Sequence, residues 1–145
     1  METSPSPVLE GAGRAFGDTS YFFALLNAKD PDHVAAIRIA QQVAICHVEV
    51  FTTWDVVSET ATLLRYRWTH AAAAKFLTRL VPHLTVLQPD EGDRIAAIRL
   101  FLRKRDLKLS LGGSLSFVIV STRLAWAPCL SFDADFRTLG LTVVL

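Results

Sequence analysis

The stretch GDTSYFFALL, residues 17–26, gives the strongest indication of the fold. It sets one carboxylate, Asp18, between a segment that suits a first β-strand, residues 14–17, and an apolar helical run. Open α/β sheets keep their functional groups at the carboxyl ends of strands, and such a strand-to-helix step leaves Asp18 at one of those ends. Alternatively, Asp18 only caps the helix that follows it. Similar carboxylates elsewhere in the chain favour the first interpretation.

The composition is typical of one globular domain, with 145 residues of which 51% are hydrophobic and 20% charged. No apolar run approaches the roughly 20 residues of a membrane span, so a cytoplasmic protein without membrane association is predicted. Fifteen basic and fourteen acidic residues give a net charge of +1, so nucleic acid would have to bind a local basic patch. Residues 1–13 lack signal-peptide features and are expected to be a flexible leader, with one domain at 14–145.

Short apolar segments alternate with helical patterns along the chain, and this alternation predicts an α/β fold with a mainly parallel sheet. The side-chain periodicity also predicts that Trp54 lies in the core, together with Ile95, Ile98 and Leu102. Strands are predicted at 14–17, 47–51, 83–87, 128–132 and 141–145, and helices at 19–27, 31–44, 70–81, 91–105 and 114–125, with another helix beginning after Thr53.

Glu59 is a second carboxylate of interest. It is the only charge between Asp55 and Arg65, whereas a solvated helix face ordinarily carries more. This isolation suggests that Glu59 borders a cleft. Equally, it can be an exposed glutamate on a segment of good helix formers.

Asp133 and Asp135 follow the predicted strand at 128–132. Because parallel strands end at a common edge, Asp18 and Asp133 are expected to lie near each other, with Glu59 reaching over from its helix. Carboxylates gathered without a basic partner repel one another, and a divalent cation such as Mg²⁺ or Mn²⁺ is the usual remedy. A metal held in this way suits cleavage of a phosphodiester, because it generates a hydroxide nucleophile and stabilises the leaving oxygen.

Other chemistries leave weaker signatures. The chain has no GxxxxGK[ST], GxGxxG or HExxH motif, and Cys46 and Cys129 lack metal-type spacing, so they are expected to be small buried residues. A phosphatase or other hydrolase that uses Asp133 and Asp135 as a DxD pair is an alternative. It is the weaker one, because that chemistry usually places its nucleophilic aspartate in a DxD loop near the N-terminus.

Four blocks of sequence resemble those of a known family. They are, in chain order from about Phe16, DTSYFFALLNAKDPDH, TTWDVVSETATLLRYR, LSLGGSLSFVIV and LSFDADFRTLGLTVV. In order and spacing they resemble PIN-domain proteins, most closely the VapC-like toxins of bacterial type II toxin–antitoxin pairs. The resemblance implies a three-layer α/β/α fold and an acidic Mg²⁺- or Mn²⁺-dependent ribonuclease site that acts on RNA. It also implies a homodimer that is inhibited by a small VapB-like antitoxin.

By this resemblance, Asp18, Glu59 and Asp133 are the catalytic acids and metal ligands, and Asp135 is a less regular metal ligand. One departure stands out, because Gly113 occupies the position at which the family carries a further aspartate. Gly112 likewise replaces a Thr or Ser, and Gly17 replaces an apolar strand residue. The loss of a metal-binding carboxylate is expected to weaken metal binding and to abolish most of the activity.

Two functions therefore stay open. The first is a metal-dependent endoribonuclease toxin, weakened or inactivated by Gly113, and the second is an inactive binding module of the same fold that dimerises and binds an antitoxin. Arg65, Arg67 and Arg123 are candidate contacts for RNA phosphates, or simply part of a solvated surface. The mean hydropathy of +0.33 suggests some surface reserved for a partner.

Overall fold

The computed structural model describes residues 7–144, and four parallel strands form the centre of the fold within them. The first strand in the sequence lies between the second and the fourth, and the third lies at the edge beyond the second. Phe16 of the central strand pairs with Phe51 on one side and with Cys129 on the other. The predicted α/β fold with a parallel sheet is thereby confirmed. The strands are β1 Arg14–Gly17, β2 Glu49–Thr53, β3 Thr85–Leu87 and β4 Cys129–Leu130.

Seven α-helices in the described part of the chain complete the three-layer α/β/α architecture. The first helix contacts the second and the third, the third contacts the fourth, and the fifth packs against the sixth. None of the helices in residues 7–144 is long and apolar enough to cross a membrane. The helices are α1 Thr19–Leu26, α2 His33–Ile45, α3 Trp54–Arg67, α4 His70–Lys75, α5 Glu91–Arg103, α6 Leu111–Arg123 and α7 Ala134–Thr138.

Side-chain caps fix several helix starts where the sequence predicts them. Thr53 accepts from the N–H of Val56 at 3.2 Å to start α3, and Thr69 starts α4 in the same way. At the start of α5, Asp90 and Asp93 accept each other's backbone N–H and form a capping box. Each cap satisfies backbone donors that the first helical turn leaves without a partner.

Some predicted boundaries move. Helix α2 begins at His33, two residues late, because the residues before it form a turn in which the N–H of Asp32 donates to the side chain of Asp30. Helix α4 continues through π-helical Phe76–Leu80 and a 3₁₀ turn, Val81–His83, which shortens β3. The predicted strand at 141–145 is reduced, in the described residues, to a single bridge between Cys129 and Val143.

The core is built on β1 and the aromatic rings around it. Phe16, Phe22, Phe76 and Phe136 are among the largest fully buried side chains. A Cβ on Gly17 would lie 2.3 Å from the Cζ atom of Phe22, which is too close for any side chain. Glycine at the end of β1 therefore gives the ring of Phe22 its place in the core.

The N-terminal segment contributes to this core. Residues 1–6 of the predicted leader lie outside the described residues, but Leu9 is fully buried and belongs to the main hydrophobic cluster. For residues 7–13, the prediction of a flexible leader is therefore corrected at Leu9. Neither the composition nor the motifs of the sequence indicated that this apolar side chain packs in the core.

Four residues predicted for the core are largely exposed. The exposed fractions are 54% for Trp54, 43% for Ile95, 46% for Ile98 and 65% for Leu102. Helix α5 instead turns Asp93, Ala97 and Leu100 inward. The physical reason is that Asp93 forms an ion pair with Arg123 of α6, while Ala97 packs with Leu115 and Val118. The prediction that the apolar stripe of α5 faces the core was therefore wrong, because that stripe is exposed and the opposite face of the helix is buried.

Thr60 supplies a test of the core. Its Oγ1 is buried without a hydrogen-bond partner within the described chain, and such an atom loses its hydration on folding. Substituting Thr60→Val, which keeps the shape, is expected to raise the free energy of unfolding by about 1 kcal/mol and Tm by about 3 °C. Thermal denaturation followed by circular dichroism measures this. Thr60→Ser, which keeps the hydroxyl, serves as the control, and a Val variant no more stable than the wild type would contradict the expectation.

Candidate active site

The site lies where the order of the sheet changes direction. From β1 the chain passes to β2 on one side, while β4 pairs on the other side. In open parallel sheets the crevice at such a point is where ligands bind. Asp18 follows β1 directly, its N–H donates to the carbonyl of Leu130 in β4 at 3.0 Å, and Asp133 follows β4. The topology therefore brings these two acids to one edge of the sheet.

Asp18 is held by two serines. Its Oδ2 accepts from the hydroxyl of Ser20 at 2.8 Å and from the hydroxyl of Ser131 at 3.0 Å. Asp18 is only 8% exposed, and this burial raises the pKa of its carboxyl group above the ordinary value, although the hydrogen bonds oppose the rise. Ser20 also accepts from the N–H of Phe132 at 2.9 Å. We call Asp18, Ser20 and Ser131 the serine clasp, because they join the start of α1 to the segment after β4.

Sequence reasoning did not identify these serines. Ser20 is the second residue after Asp18, and the side chain of an N-cap commonly accepts a hydrogen bond from the backbone N–H at that position. This local pattern could have identified Ser20. Ser131 lies 113 residues from Asp18 along the chain, and nothing in its local sequence marks that partnership.

Glu59 reaches the same site from α3. Its Oε2 accepts from the hydroxyl of Thr19 at 3.3 Å. Partial burial raises the pKa of Glu59, the Thr19 hydrogen bond lowers it, and the negative charge of Asp18 raises it again. The charge of Asp18 thus disfavours ionisation of Glu59.

Asp133 is the third acid of the site. It caps α7, where its Oδ1 accepts from the N–H of Asp135 at 2.9 Å, and its own N–H donates to Ser131 at 3.0 Å. Asp135 lies in the first turn of α7 and is absent from the wall of the cavity described next. The structure therefore brings together Asp18, Glu59 and Asp133, but not Asp135.

These three acids line one open cavity of about 400 Å³, which we call the acidic cavity. Asp30, Asp32 and Asp55 also line it, and Arg67 is the only basic residue in the part of its wall that the structure describes. These additional aspartates were not predicted as site residues, since each lies near a helix start and was interpretable as a cap or a turn residue. Their shared location follows from the tertiary fold alone.

Gly112 and Gly113 line the acidic cavity from the first turn of α6. This turn was predicted as a loop, but Ser110 caps it by accepting from the N–H of Gly113 at 2.9 Å. A Cβ on Gly113 would lie 3.0 Å from Cδ1 of Leu109, so a side chain there needs a small shift of Leu109. A Cβ on Gly112 would lie 3.5 Å from Oε2 of Glu59.

The fit of these residues to a metal is incomplete. Carboxylate oxygens are the ligands that Mg²⁺ and Mn²⁺ prefer, so Asp18, Glu59 and Asp133 are of the right kind. Across residues 7–144, however, no three His, Cys, Asp or Glu side chains are grouped closely enough to hold a metal ion. The donor chemistry suits a divalent cation, and the wall has a gap at Gly113 where the resemblance implies a further acid.

The candidate RNA-binding arginines lie in three different environments. Arg67 lines the acidic cavity, whereas Arg65 lies on an open groove with Tyr66 and His70. Arg123 donates to Oδ2 of Asp90 at 2.9 Å and also pairs with Asp93. Its guanidinium thus joins α6 to α5 rather than standing free at the cavity.

Comparisons with known proteins agree with this description. The model of the PIN domain family matches residues 15–140. The crystal structure of VapC20 from Mycobacterium tuberculosis, titled a Sarcin-Ricin loop cleaving toxin, superposes with a TM-score of 0.78 at 29% sequence identity. The match covers 88% of this chain and 96% of that one. A search of curated proteins gave no match.

Proposed function

Because this chain belongs to the PIN domain family, we propose that it is a metal-dependent endoribonuclease toxin of a toxin–antitoxin pair, weakened at Gly113. The observation that carries the proposal is that three acids from separate parts of the chain, Asp18, Glu59 and Asp133, line one cavity at the switch point of the sheet. The likeness to a toxin that cleaves the sarcin–ricin loop supports RNA as the substrate.

In this proposal the chain's own residues position the reacting groups. The serine clasp fixes the carboxylate of Asp18, and Thr19 fixes that of Glu59. Mg²⁺ or Mn²⁺, held by Asp18, Glu59 and Asp133, would supply charge neutralisation and an activated water. Arg67 lines the cavity and would contact an RNA phosphate there.

Electrostatics explain why a cation belongs to the proposal. The lining acids are Asp18, Asp30, Asp32, Asp55, Glu59 and Asp133, against one arginine. An RNA backbone brings further negative charge, so an unneutralised cavity repels it. A divalent cation removes that repulsion. A chain that lacks the acid expected at position 113 has one carboxylate fewer to bind the cation, so its activity is expected to be lower.

The second candidate is a catalytically inactive member of the same family that dimerises and binds a VapB-like antitoxin. The gap at Gly113 favours it, together with the absence of a grouped set of three metal-binding side chains in residues 7–144. Exposed Trp54, Ile98 and Leu102 support a partner-binding surface. The two candidates differ in turnover, not in fold.

Cleavage of an RNA that carries the sarcin–ricin loop tests the proposal. We expect slow cleavage by the unchanged chain in Mn²⁺, none in EDTA, and at least about a 100-fold lower rate for Asp18→Asn. Asp106→Asn, at an exposed position outside the wall of the cavity, is the control and is expected to cleave at nearly the original rate. If the unchanged chain does not cleave, or if Asp18→Asn cleaves equally well, the chain is not a nuclease of this kind.

A further inference from the structure

A smaller pocket lies beside the acidic cavity, between α5 and α6. Its volume is about 250 Å³, and we call it the side pocket. Asp55 and Gly112 line both spaces, so the side pocket and the acidic cavity share a wall. A group bound in the side pocket therefore lies directly next to the place where the proposed function puts a phosphodiester. The lining residues are Asp55, Arg94, Ala97, Ile98, Leu111, Gly112 and Leu115.

The chemistry of the side pocket is mostly apolar with two charges of opposite sign. Ala97, Ile98 and Leu115 supply apolar walls, and Asp55 and Arg94 supply one carboxylate and one guanidinium. The Nη2 of Arg94 donates to the carbonyl of Pro89 at 3.0 Å, which holds this guanidinium in place. Such a pocket suits a flat group with apolar faces and with both donors and acceptors on its edges. A nucleobase has these properties, and Arg planes commonly stack on unpaired bases of RNA.

The two charged residues distinguish among the bases. A carboxylate accepts two hydrogen bonds side by side, and guanine presents two adjacent donors, its N1–H and N2–H₂ groups. Cytosine and adenine present a single amino group, and uracil presents none. Guanine also carries the O6 and N7 acceptors that arginine prefers. The combination of Asp55 and Arg94 therefore complements guanine better than the other three bases.

Resting on the proposed function, we propose that the side pocket binds an unpaired guanine of the RNA, next to the phosphodiester that is cleaved. The carboxylate of Asp55 accepts from N1 and N2 of the base, and Arg94 stacks on it or donates to its O6 and N7. The side pocket then determines sequence preference, while the acidic cavity supplies the chemistry. A substitution in the side pocket should therefore abolish the base preference and leave metal binding unchanged.

Binding of short RNA tests the proposal without requiring cleavage. Fluorescence anisotropy compares uridine hexamers whose third residue is guanosine, inosine, adenosine, cytidine or uridine, in a buffer with Ca²⁺ to screen the acidic cavity. We expect the guanosine hexamer to bind about ten-fold more tightly than the all-uridine hexamer, because one good two-bond contact gives that discrimination. Inosine, which lacks the N2 amino group, should fall between them. Asp55→Asn should remove the difference between guanosine and inosine.

Helix α5 offers a matched pair of variants. Ile98 lines the side pocket and is 46% exposed, whereas Ile95 is 43% exposed and lines neither the pocket nor the cavity. Ile98→Trp fills the pocket and should reduce binding of the guanosine hexamer to that of the all-uridine hexamer. Ile95→Trp should leave the preference unchanged, and because both sites are exposed, both variants should fold.

Several outcomes would overturn the inference. Equal binding of all five hexamers would do so, and so would a guanosine preference that survives Ile98→Trp. If sedimentation shows that only Ile98→Trp changes self-association, the side pocket holds a residue of a second copy instead of a base. If all five hexamers bind equally and the chain still cleaves RNA in the presence of metal, only this inference is contradicted. If the chain neither binds nor cleaves RNA, the proposed function is contradicted as well.

Discussion

Replacing Gly113 with aspartate is expected to raise the rate of RNA cleavage at least about ten-fold and to tighten Mn²⁺ binding by a similar factor. The reason is that Gly113 lies in the wall of the acidic cavity, and a carboxylate there adds a donor to Asp18, Glu59 and Asp133. Its Cβ would lie 3.0 Å from Cδ1 of Leu109 and 3.3 Å from Oγ of Ser110, so the substitution requires both of these side chains to move by a few tenths of an ångström. Initial rates on sarcin–ricin loop RNA and calorimetric titration with Mn²⁺ measure the two effects.

Two variants control for the new side chain itself. Gly113→Asn has the same shape without the charge, so it should fold like Gly113→Asp and gain neither activity nor metal affinity. Gly112→Asp places an acid one residue away, where the Cβ would lie 3.5 Å from the carboxylate of Glu59. Repulsion there is expected to destabilise the fold in the absence of metal. Equal rates for the Asp and Asn variants at 113 would show that the missing charge does not limit activity.

Asp18→Asn is expected to stabilise the fold at neutral pH while it removes activity. Burial raises the pKa of Asp18 above its ordinary value of 3.8, so the folded chain keeps this proton to a higher pH than the unfolded chain. Its contribution to stability is therefore complete below pH 3.8 and is lost as the pH rises through the folded-state pKa. Above that pH the buried charge is a cost that asparagine does not carry. We expect the variant to unfold about 3 °C higher at pH 7, for a gain of about 1 kcal/mol.

The difference in Tm between Asp18→Asn and the unchanged chain should shrink as the pH falls toward 3.8, because protonated aspartic acid and asparagine are both neutral. Thermal denaturation of both chains across this pH range gives the comparison. Thr60→Val, which removes no titratable group, should show no such trend. Added Mn²⁺ should narrow the difference at pH 7, since it binds only the chain with the carboxylate. A constant difference at every pH would mean that ionisation of Asp18 is not what destabilises the fold.

The sheet and the starts of α3, α4 and α5 were readable from the sequence because their causes are local. Residues 14–17 and 19–27 were predicted as a strand and a helix from their own composition, and the caps Thr53, Thr69 and Asp90 act within four residues. The edge that gathers Asp18 and Asp133 follows from parallel strand order, a general property of such sheets. Local signals together with one topological rule were therefore enough to predict where the candidate acids lie.

What escaped prediction depends on distant partners. The outward face of α5 depends on the pairing of Asp93 with Arg123, residues 30 apart in the sequence. The burial of Leu9 likewise depends on the tertiary fold. Side-chain periodicity predicts that a helix has an apolar stripe, but not which of two partners that stripe meets. For α5 and for Trp54, the apolar side chains turned out to be surface.

The serine clasp bears on when the candidate site can form during synthesis. It closes only when Ser131 reaches Asp18, and Ser131 directly follows β4, which pairs with β1. Synthesis runs from the N-terminus, so the ribosome must release the chain beyond Ser131 before this carboxylate is fixed. A nascent chain that still holds the segment after β4 in the exit tunnel therefore carries no serine clasp. The order of translation itself sets the earliest time at which these acids can be assembled.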